Sequence, residues 1–189
     1  MVETDYIWAV IPFIDLPDLT IQACEDCLAQ NVACRVLLIS QGSSEETEAR
    51  MREYADQHHP EVLLWTFSPA LPSLSGVWNR ALNFCWELGA TEAWVLNNDV
   101  RLHPSTLFVL KGHLREAGSW FVSAVGVRED DWHPDSYAIS GDHGGPDFSC
   151  FLISKAGHET YPFDEGFIPC YMEDCDAHRR YMLGGDGGK

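Results

Sequence analysis

Short apolar runs alternate with amphipathic segments through the first half of the chain. Four runs are predicted to be buried strands because each is short, apolar and bounded by turn residues. These strands are expected at 7–13, 35–40, 61–67 and 93–96. Helices are expected between them at 17–30, 45–57 and 76–88, of which the second is polar and acidic. Strands that alternate with helices predict an α/β protein with a parallel sheet and right-handed crossovers.

The second half of the chain has a different pattern. Helices are predicted there at 104–117 and 173–182, and strands at 120–125 and 148–153. The segment 126–147 is rich in Asp, His and Gly, which predicts a mobile functional loop rather than core. The Gly-rich residues 184–189 predict a flexible tail. Because no repeat or linker interrupts the pattern, we expect one domain over residues 1–183.

Composition narrows the class of protein. Of 189 residues, 46% are hydrophobic and 12% aromatic, which is enough for one buried core and excludes a disordered acidic tail. No apolar run approaches the roughly 20 residues of a membrane span. The N-terminus carries acids where a signal peptide carries bases. We therefore expect a soluble, cytoplasmic protein with no transmembrane segment.

Seven cysteines at irregular spacing do not suggest a disulfide framework in a chain with a core of this size. Cys24 and Cys27 form a C-x-x-C pair, which is compatible with zinc or redox chemistry. No second pair follows, and the two residues share one helical face with Leu28. Buried structural thiols are therefore the favoured interpretation.

The charge balance restricts the partners. With 29 acidic and 12 basic residues, the formal net charge is −17. Nucleic acid is a poor partner for such a surface, since Arg179-Arg180 is the only basic cluster. An anionic small ligand would need local positive charge from a divalent cation and one or two arginines. Arg80, Arg179 and Arg180 are candidates, with surface ion pairs as the alternative.

Polar residues follow three of the predicted strands. They are Pro12-Phe13, Gln41-Gly42-Ser43 and Asn97-Asn98-Asp99. Ligands bind open parallel sheets at the carboxyl ends of the strands, so we expect these residues to converge on one cleft. Asp99 is the only carboxylate among them, and one carboxylate with phosphate oxygens suits Mg²⁺ or Mn²⁺. A turn that merely ends the strand at 97–99 is the open alternative.

A second polar cluster lies at 163–176, where five acids in fourteen residues are interleaved with aromatic residues. Glu173 and Asp174 open the last predicted helix, a place where acids also stabilise the helix dipole. Helix capping is therefore an open alternative to chemistry for each acid. An acid among aromatic side chains is a good candidate for a general base because such surroundings raise its pKa.

Taken in order, these stretches resemble glycosyltransferases of the Rossmann-like GT-A fold, specifically the large inverting family called family 2. The similar stretches are the first strand (10–12), a nucleotide loop (40–44), an Asn-bearing helix (75–81), an Asn-Asn-Asp form of the Asp-x-Asp metal motif (96–100) and an acceptor-side motif (163–167 with 173–176). The resemblance spans residues 7–183 and implies a mostly parallel sheet flanked by helices.

The resemblance also implies roles for individual residues. Asp99 would bind Mn²⁺ or Mg²⁺, which would hold the diphosphate of a sugar nucleotide. Asp174 would be the general base, and Glu173 would face the acceptor or orient that base. His178 would reach the metal or phosphate, with a surface histidine as the alternative. The donor-binding set comprises Pro12, Phe13, Gln41, Ser43, Asn79, Arg80, Asn97 and Asn98.

The leading hypothesis is a metal-dependent inverting glycosyltransferase that moves a sugar from a nucleotide-sugar donor to an acceptor hydroxyl. The acceptor could be a glycan, a lipid-linked precursor, a small molecule or a protein. One alternative is a non-catalytic relative that binds nucleotide or sugar. Another is a phage-type transferase acting on hydroxymethylated DNA bases, which the acidic surface disfavours. A nucleotidyltransferase is also disfavoured, because no Gly-rich, Lys-containing loop follows the first strand.

Overall fold

Six strands form one mixed sheet in the computed structural model, which describes residues 6–116, 118–126 and 148–183. The strands are β1 (Ile7–Phe13), β2 (Cys34–Ser40), β3 (Val62–Thr66), β4 (Glu92–Leu96), β5 (Phe121–Ser123) and β6 (Cys150–Ser154). The helices are α1 (Pro17–Leu28), α2 (Glu45–Gln57), α3 (Leu74–Glu87), α4 (Thr106–Glu116), α5 (Lys155–Thr160) and α6 (Glu173–Leu183). The predicted loop at 127–147 and the predicted tail at 184–189 lie outside the described residues.

The strand order is β3-β2-β1-β4-β6-β5. β1 pairs in parallel with β2 on one side and with β4 on the other, and β3 extends the parallel part beyond β2. β6 runs antiparallel to both β4 and β5. The chain therefore reverses its direction of travel across the sheet between β1 and β4, which is where an α/β sheet opens a crevice for ligands.

Both faces of the sheet are buried, and the alternation along β1 shows this directly. Ala9, Ile11 and Phe13 belong to a core layer that includes residues of α1, α2 and α4. Trp8 and Val10 point to the opposite layer, with residues of α3 and α6. A strand covered on both sides has no polar face, which explains its continuous apolar sequence.

The cysteine prediction is confirmed for the C-x-x-C pair. Cys24 and Cys27 are free thiols, fully buried in the layer beneath α1. Burial raises the pKa of Cys24 to about 12 and keeps its thiol protonated. Cys175 differs, since it is exposed on α6.

Two helices differ from the sequence prediction. The acidic α2 is more than a solvated surface, because it buries Met51, Tyr54 and Ala55 along one stripe. α5 was not predicted, since six residues are too few to show a helical period. Its start is fixed by Ser154, whose Oγ accepts a hydrogen bond from the Gly157 backbone N–H at 3.2 Å. None of the helices that the structure describes has the length and apolar composition of a membrane span.

Gly157 allows α5 to pack directly against Trp120. A Cβ atom at residue 157 would lie 2.6 Å from the Trp120 Cβ and 3.1 Å from its backbone oxygen. Because neither atom is at the end of a flexible side chain, we expect Gly157→Ala to lower the free energy of unfolding by about 1–3 kcal/mol. Equilibrium urea denaturation measures this loss.

Gly112→Ala is the matched control, because a Cβ at this position in α4 would meet nothing within 4 Å. Alanine is the better helix former, so this variant should gain up to about 1 kcal/mol. Destabilisation of the same size in both variants would contradict the proposed contact between α5 and Trp120.

Candidate functional site

The loops after β1 and β2 are tied together at the carboxyl edge of the sheet. The Gln41 backbone N–H donates to the Phe13 carbonyl at 3.0 Å, and the Asp15 N–H donates to the Ser43 Oγ at 2.9 Å. The Asp15 carboxylate in turn accepts the Ser44 N–H at 2.9 Å, which lowers the pKa of Asp15. The two polar clusters that the sequence predicts at these strand ends therefore form one continuous edge.

The loop after β4 lies beside the same edge. The Asn97 backbone N–H donates to the Ser149 carbonyl at 2.8 Å. The Asn98 side-chain amide donates to the Thr20 Oγ1 of α1 at 3.0 Å, so Asn98 ties the loop to the helix that follows β1. The next residue, Asp99, is exposed, and none of the described residues donates a hydrogen bond to its carboxylate.

The side chains around Asp99 supply only part of the ligands that a metal ion needs. The described residues contain no group of three His, Cys, Asp or Glu side chains arranged to hold a metal ion. Asp99 therefore supplies one unengaged carboxylate, a hard oxygen ligand of the kind that Mg²⁺ and Mn²⁺ bind. A cation there would need oxygens from a ligand to complete its coordination.

A cavity of about 240 Å³ joins the end of β4 to the start of α6. Its walls come from α3, the end of β4, the residues before β6 and the segment 163–176, called the acidic segment below. The lining residues are Leu74, Trp78, Asn97, Phe148, Ser149, Cys170, Tyr171, Glu173 and Asp174. The predicted acid pair thus shares a cavity with Asn97, two residues before Asp99. Asp99 and His178 are not among the residues that line it.

Glu173 and Asp174 have different environments. Glu173 is only 6% exposed, and its Oε2 finds no hydrogen-bond partner among the described residues. Desolvation raises the pKa of Glu173, and the neighbouring Asp174 charge adds to the effect. Asp174 is half-buried, and its Oδ1 accepts the Cys175 backbone N–H at 2.6 Å. Both acids lie in the first turn of α6, so helix stabilisation and chemistry both stay open as explanations for them.

Asn79 joins α3 to the acidic segment. Its Nδ2 donates to the Phe163 carbonyl at 2.8 Å and to the Glu165 Oε1 at 3.0 Å. Its Oδ1 accepts the Phe163 N–H at 3.0 Å and lies 3.0 Å from the His158 Nε2. These four contacts use the whole side-chain amide within the protein. Asn79 positions the turn at 163–165.

His158 supports Asn79, and the sequence analysis did not identify it. The Trp86 indole N–H donates to the His158 Nδ1 at 3.0 Å, so the ring proton lies on Nε2, which donates to the Asn79 Oδ1. Burial lowers the pKa of His158 to about 4. The ring is therefore neutral and held as one tautomer. With Asn79, it lines a second cavity of about 480 Å³ between α3 and α5.

Three members of the predicted donor-binding set remain at the sheet edge. Pro12 is half-buried, and Ser43 is half-buried with its Oγ bound to the Asp15 N–H. Gln41 is buried, and its Oε1 accepts the Leu71 N–H at 3.1 Å while its Nε2 finds no partner among the described residues.

The other predicted residues have different surroundings. Phe13 ends β1 at this edge, with its ring buried in the core. Arg80 is exposed, with its guanidinium 5.9 Å from the centre of the Phe67 ring. Arg180 is bound by the Asp176 carboxylate and the Pro162 carbonyl, at 2.6 and 2.7 Å.

Solved structures of glycosyltransferases have this fold. The mannosyltransferase PcManGT from Pyrobaculum calidifontis, in complex with GDP-Man and Mn²⁺, has a TM-score of 0.71 at 14% identity, covering 96% of this chain and 53% of its own. S. aureus TarS 1–349 in complex with UDP has a TM-score of 0.67 at 13% identity, covering 94% of this chain and 55% of its own. The predicted GT-A-like fold is thereby confirmed.

The similarity does not extend to the sequence. No protein-family profile matches the chain, and no curated protein sequence is similar to it. The chain spans about half the length of PcManGT and of TarS 1–349. The likeness therefore establishes the architecture alone.

The neutral His158 makes folding sensitive to acid. Its pKa is about 4 in the folded protein, below the ordinary histidine value of about 6.5. The unfolded chain therefore takes up a proton first, and the stability that His158 contributes above about pH 6.5 is lost as the pH falls towards 4. We expect a loss of up to about 3 kcal/mol in the free energy of unfolding.

His158→Gln tests this linkage, because glutamine retains one donor and one acceptor but does not titrate. Urea unfolding at about pH 7.5 and about pH 5 should give a smaller loss of stability in this variant than in the wild type. Glu173, with its raised pKa, acts in the opposite direction, but it is present in both proteins and cancels in the comparison. The exposed His59→Gln control should keep the wild-type loss.

Proposed function

We propose that this chain is the catalytic domain of a metal-dependent glycosyltransferase that moves a sugar from a nucleoside-diphosphate sugar to an acceptor hydroxyl with inversion. The observation that carries the proposal is the cavity shared by Asn97, at the end of β4, and the acid pair at the start of α6. The fold of the chain supports the proposal, because it is shared with glycosyltransferases solved with GDP-Man and Mn²⁺ or with UDP.

The donor half of the site is the sheet edge after β1, β2 and β4. Pro12, Gln41 and Ser43 would frame the nucleoside, with Asn97 and Asn98 near the ribose and sugar. Asp99 would hold Mn²⁺ or Mg²⁺ together with the diphosphate oxygens, because its carboxylate is exposed and unengaged. The cation, when bound, neutralises the charge that develops on the departing diphosphate. His178 is a further candidate ligand, and Arg80 is a candidate to add positive charge.

The acceptor half is the acid pair. Asp174 would take the proton from the acceptor hydroxyl as its oxygen bonds to the anomeric carbon. The bond from that carbon to the diphosphate oxygen breaks on the opposite side, which inverts the configuration. Glu173 would face the acceptor or orient Asp174, since the two carboxylates line the same cavity.

A non-catalytic binding protein is the second candidate. The observation that favours it is the position of both acids in the first turn of α6, where carboxylates stabilise a helix without taking part in chemistry. Such a protein would bind nucleotide sugars and release no nucleoside diphosphate with any acceptor. Turnover therefore separates the two candidates.

Asp99→Ala should remove the contribution of the metal to donor binding. Isothermal titration of UDP and GDP, each with and without Mn²⁺, should show metal-strengthened binding of at least one nucleotide in the wild type. In the variant, the nucleotide affinity measured with Mn²⁺ should fall at least about tenfold. Loss of a residue that only hydrogen-bonds to a metal ligand already weakens metal binding by that factor. Asp56→Ala, an exposed acid on α2, is the control and should bind as the wild type does. Unchanged Mn²⁺ dependence in Asp99→Ala would remove Asp99 from the site.

Asp174→Asn should separate binding from chemistry. The amide has nearly the same shape but cannot accept the acceptor proton, so we expect sugar transfer to fall by roughly 10²–10⁴-fold with unchanged nucleotide affinity. Release of nucleoside diphosphate from a panel of donors and acceptors measures the rate. Asp56→Asn is the matched control and should keep the wild-type rate. Full activity in Asp174→Asn would assign the base elsewhere.

A further inference from the structure

An exposed aromatic ring lies at the mouth of the cavity that contains the acid pair. Tyr171 lines this cavity and is 80% exposed. Its φ of 77° is in the left-handed region that non-glycine residues rarely adopt, and Met172 follows with a φ of 75°. Met172 and Ile168 are also more than half exposed. The segment before α6 thus presents an apolar surface to solvent beside two carboxylates.

The chain around this surface is mostly acidic. Residues 156–178 contain six acids and no lysine or arginine, and the exposed Arg179 follows them. Arg180, on the next turn of α6, is already bound by the Asp176 carboxylate and a backbone carbonyl. A mouth of this kind repels phosphate, sulfate and carboxylate groups on an incoming molecule.

The cavity is also small. Its volume of about 240 Å³ is below the roughly 300–1,000 Å³ of most ligand pockets, which suits one sugar ring rather than a longer segment of polymer. Its walls combine the apolar Trp78 and Phe148 with Glu173 and Asp174. Carboxylates accept hydrogen bonds from hydroxyl groups, whereas an aromatic ring packs against the C–H face of a sugar.

From these features we infer that the acceptor is an uncharged sugar, whose ring stacks on Tyr171 while a hydroxyl group faces Glu173 and Asp174. This inference rests on the proposed function and names the acceptor class of the same site. Tyr171 is a binding residue for the acceptor and takes no part in the proton transfer. The same charge argument disfavours phosphorylated and sulfated glycans, and DNA with hydroxymethylated bases, as acceptors.

An array of immobilised glycans tests the acceptor class. It holds neutral glycans, their phosphorylated, sulfated and uronic-acid counterparts, and single-stranded DNA with hydroxymethylated cytosine. The protein is applied with Mn²⁺ and with UDP or GDP. We expect binding to neutral glycans alone, with an affinity that does not change with salt because no charge is paired. Binding to anionic members as strong as to neutral ones, or binding to no neutral glycan, would overturn the inference.

Variants of Tyr171 test the stacking contact. Tyr171→Ala should weaken neutral-glycan binding by roughly tenfold, whereas Tyr171→Phe retains the ring and should stay within about twofold of the wild type. Phe108→Ala is the matched control, because Phe108 is also an exposed aromatic residue, on α4 and on the other side of the sheet. Thermal unfolding of each variant checks that the fold is intact. Equal loss in Tyr171→Ala and Tyr171→Phe, or no loss in either, would remove the ring from the acceptor site.

Nucleotide binding keeps this result separate from the proposed function. Titration of UDP and GDP with Mn²⁺ reports on nucleotide binding, for which the proposed function uses Pro12, Gln41, Ser43 and Asp99 and not Tyr171. Metal-dependent nucleotide binding without neutral-glycan binding would overturn the acceptor class and leave the transferase proposal standing. Loss of both would count against the proposed function itself.

Discussion

The candidate site depends on the side chain of Asn79, whose amide makes hydrogen bonds through both its nitrogen and its oxygen. The donor-side loops and the acid pair come from halves of the chain that are far apart in sequence. Asn79, on α3, joins them by holding the backbone of Phe163 at both its N–H and its carbonyl. The Leu74 N–H adds a second anchor at the Pro169 carbonyl, at 3.0 Å. With residues 163 and 169 fixed to α3, the start of α6 is brought to the carboxyl end of β4.

Most of the sheet could be predicted from the sequence because its signals are local. A run such as Ile7–Phe13 is apolar on both faces, and only a strand between two helical layers buries both. The antiparallel direction of β6 could not be predicted, since it depends on the path of the chain between distant strands. α5 was missed because six residues carry no period, and its packing depends on the absence of a side chain at Gly157.

The position of the polar strand ends in the candidate site could be predicted from the sequence, but the contacts of individual side chains could not. Strand topology alone brings the ends of β1, β2 and β4 together, so the sequence order of the polar loops was informative. The roles of Asn79 and Phe13 were not predictable, because an amide or a ring at a given spacing does not reveal whether the protein itself engages it. His158 gave no signal either, since its importance comes from Trp86 and Asn79, each more than seventy residues away.

The buried thiols beneath α1 also have a practical consequence. Cys24 and Cys27 are enclosed in the core, and burial raises their pKa, so neither is available to an alkylating reagent while the layer stays packed. Cys175, on the surface of α6, is open to the same reagent. The rate at which Cys24 and Cys27 are labelled, compared residue by residue with Cys175, therefore measures how often α1 separates from the sheet.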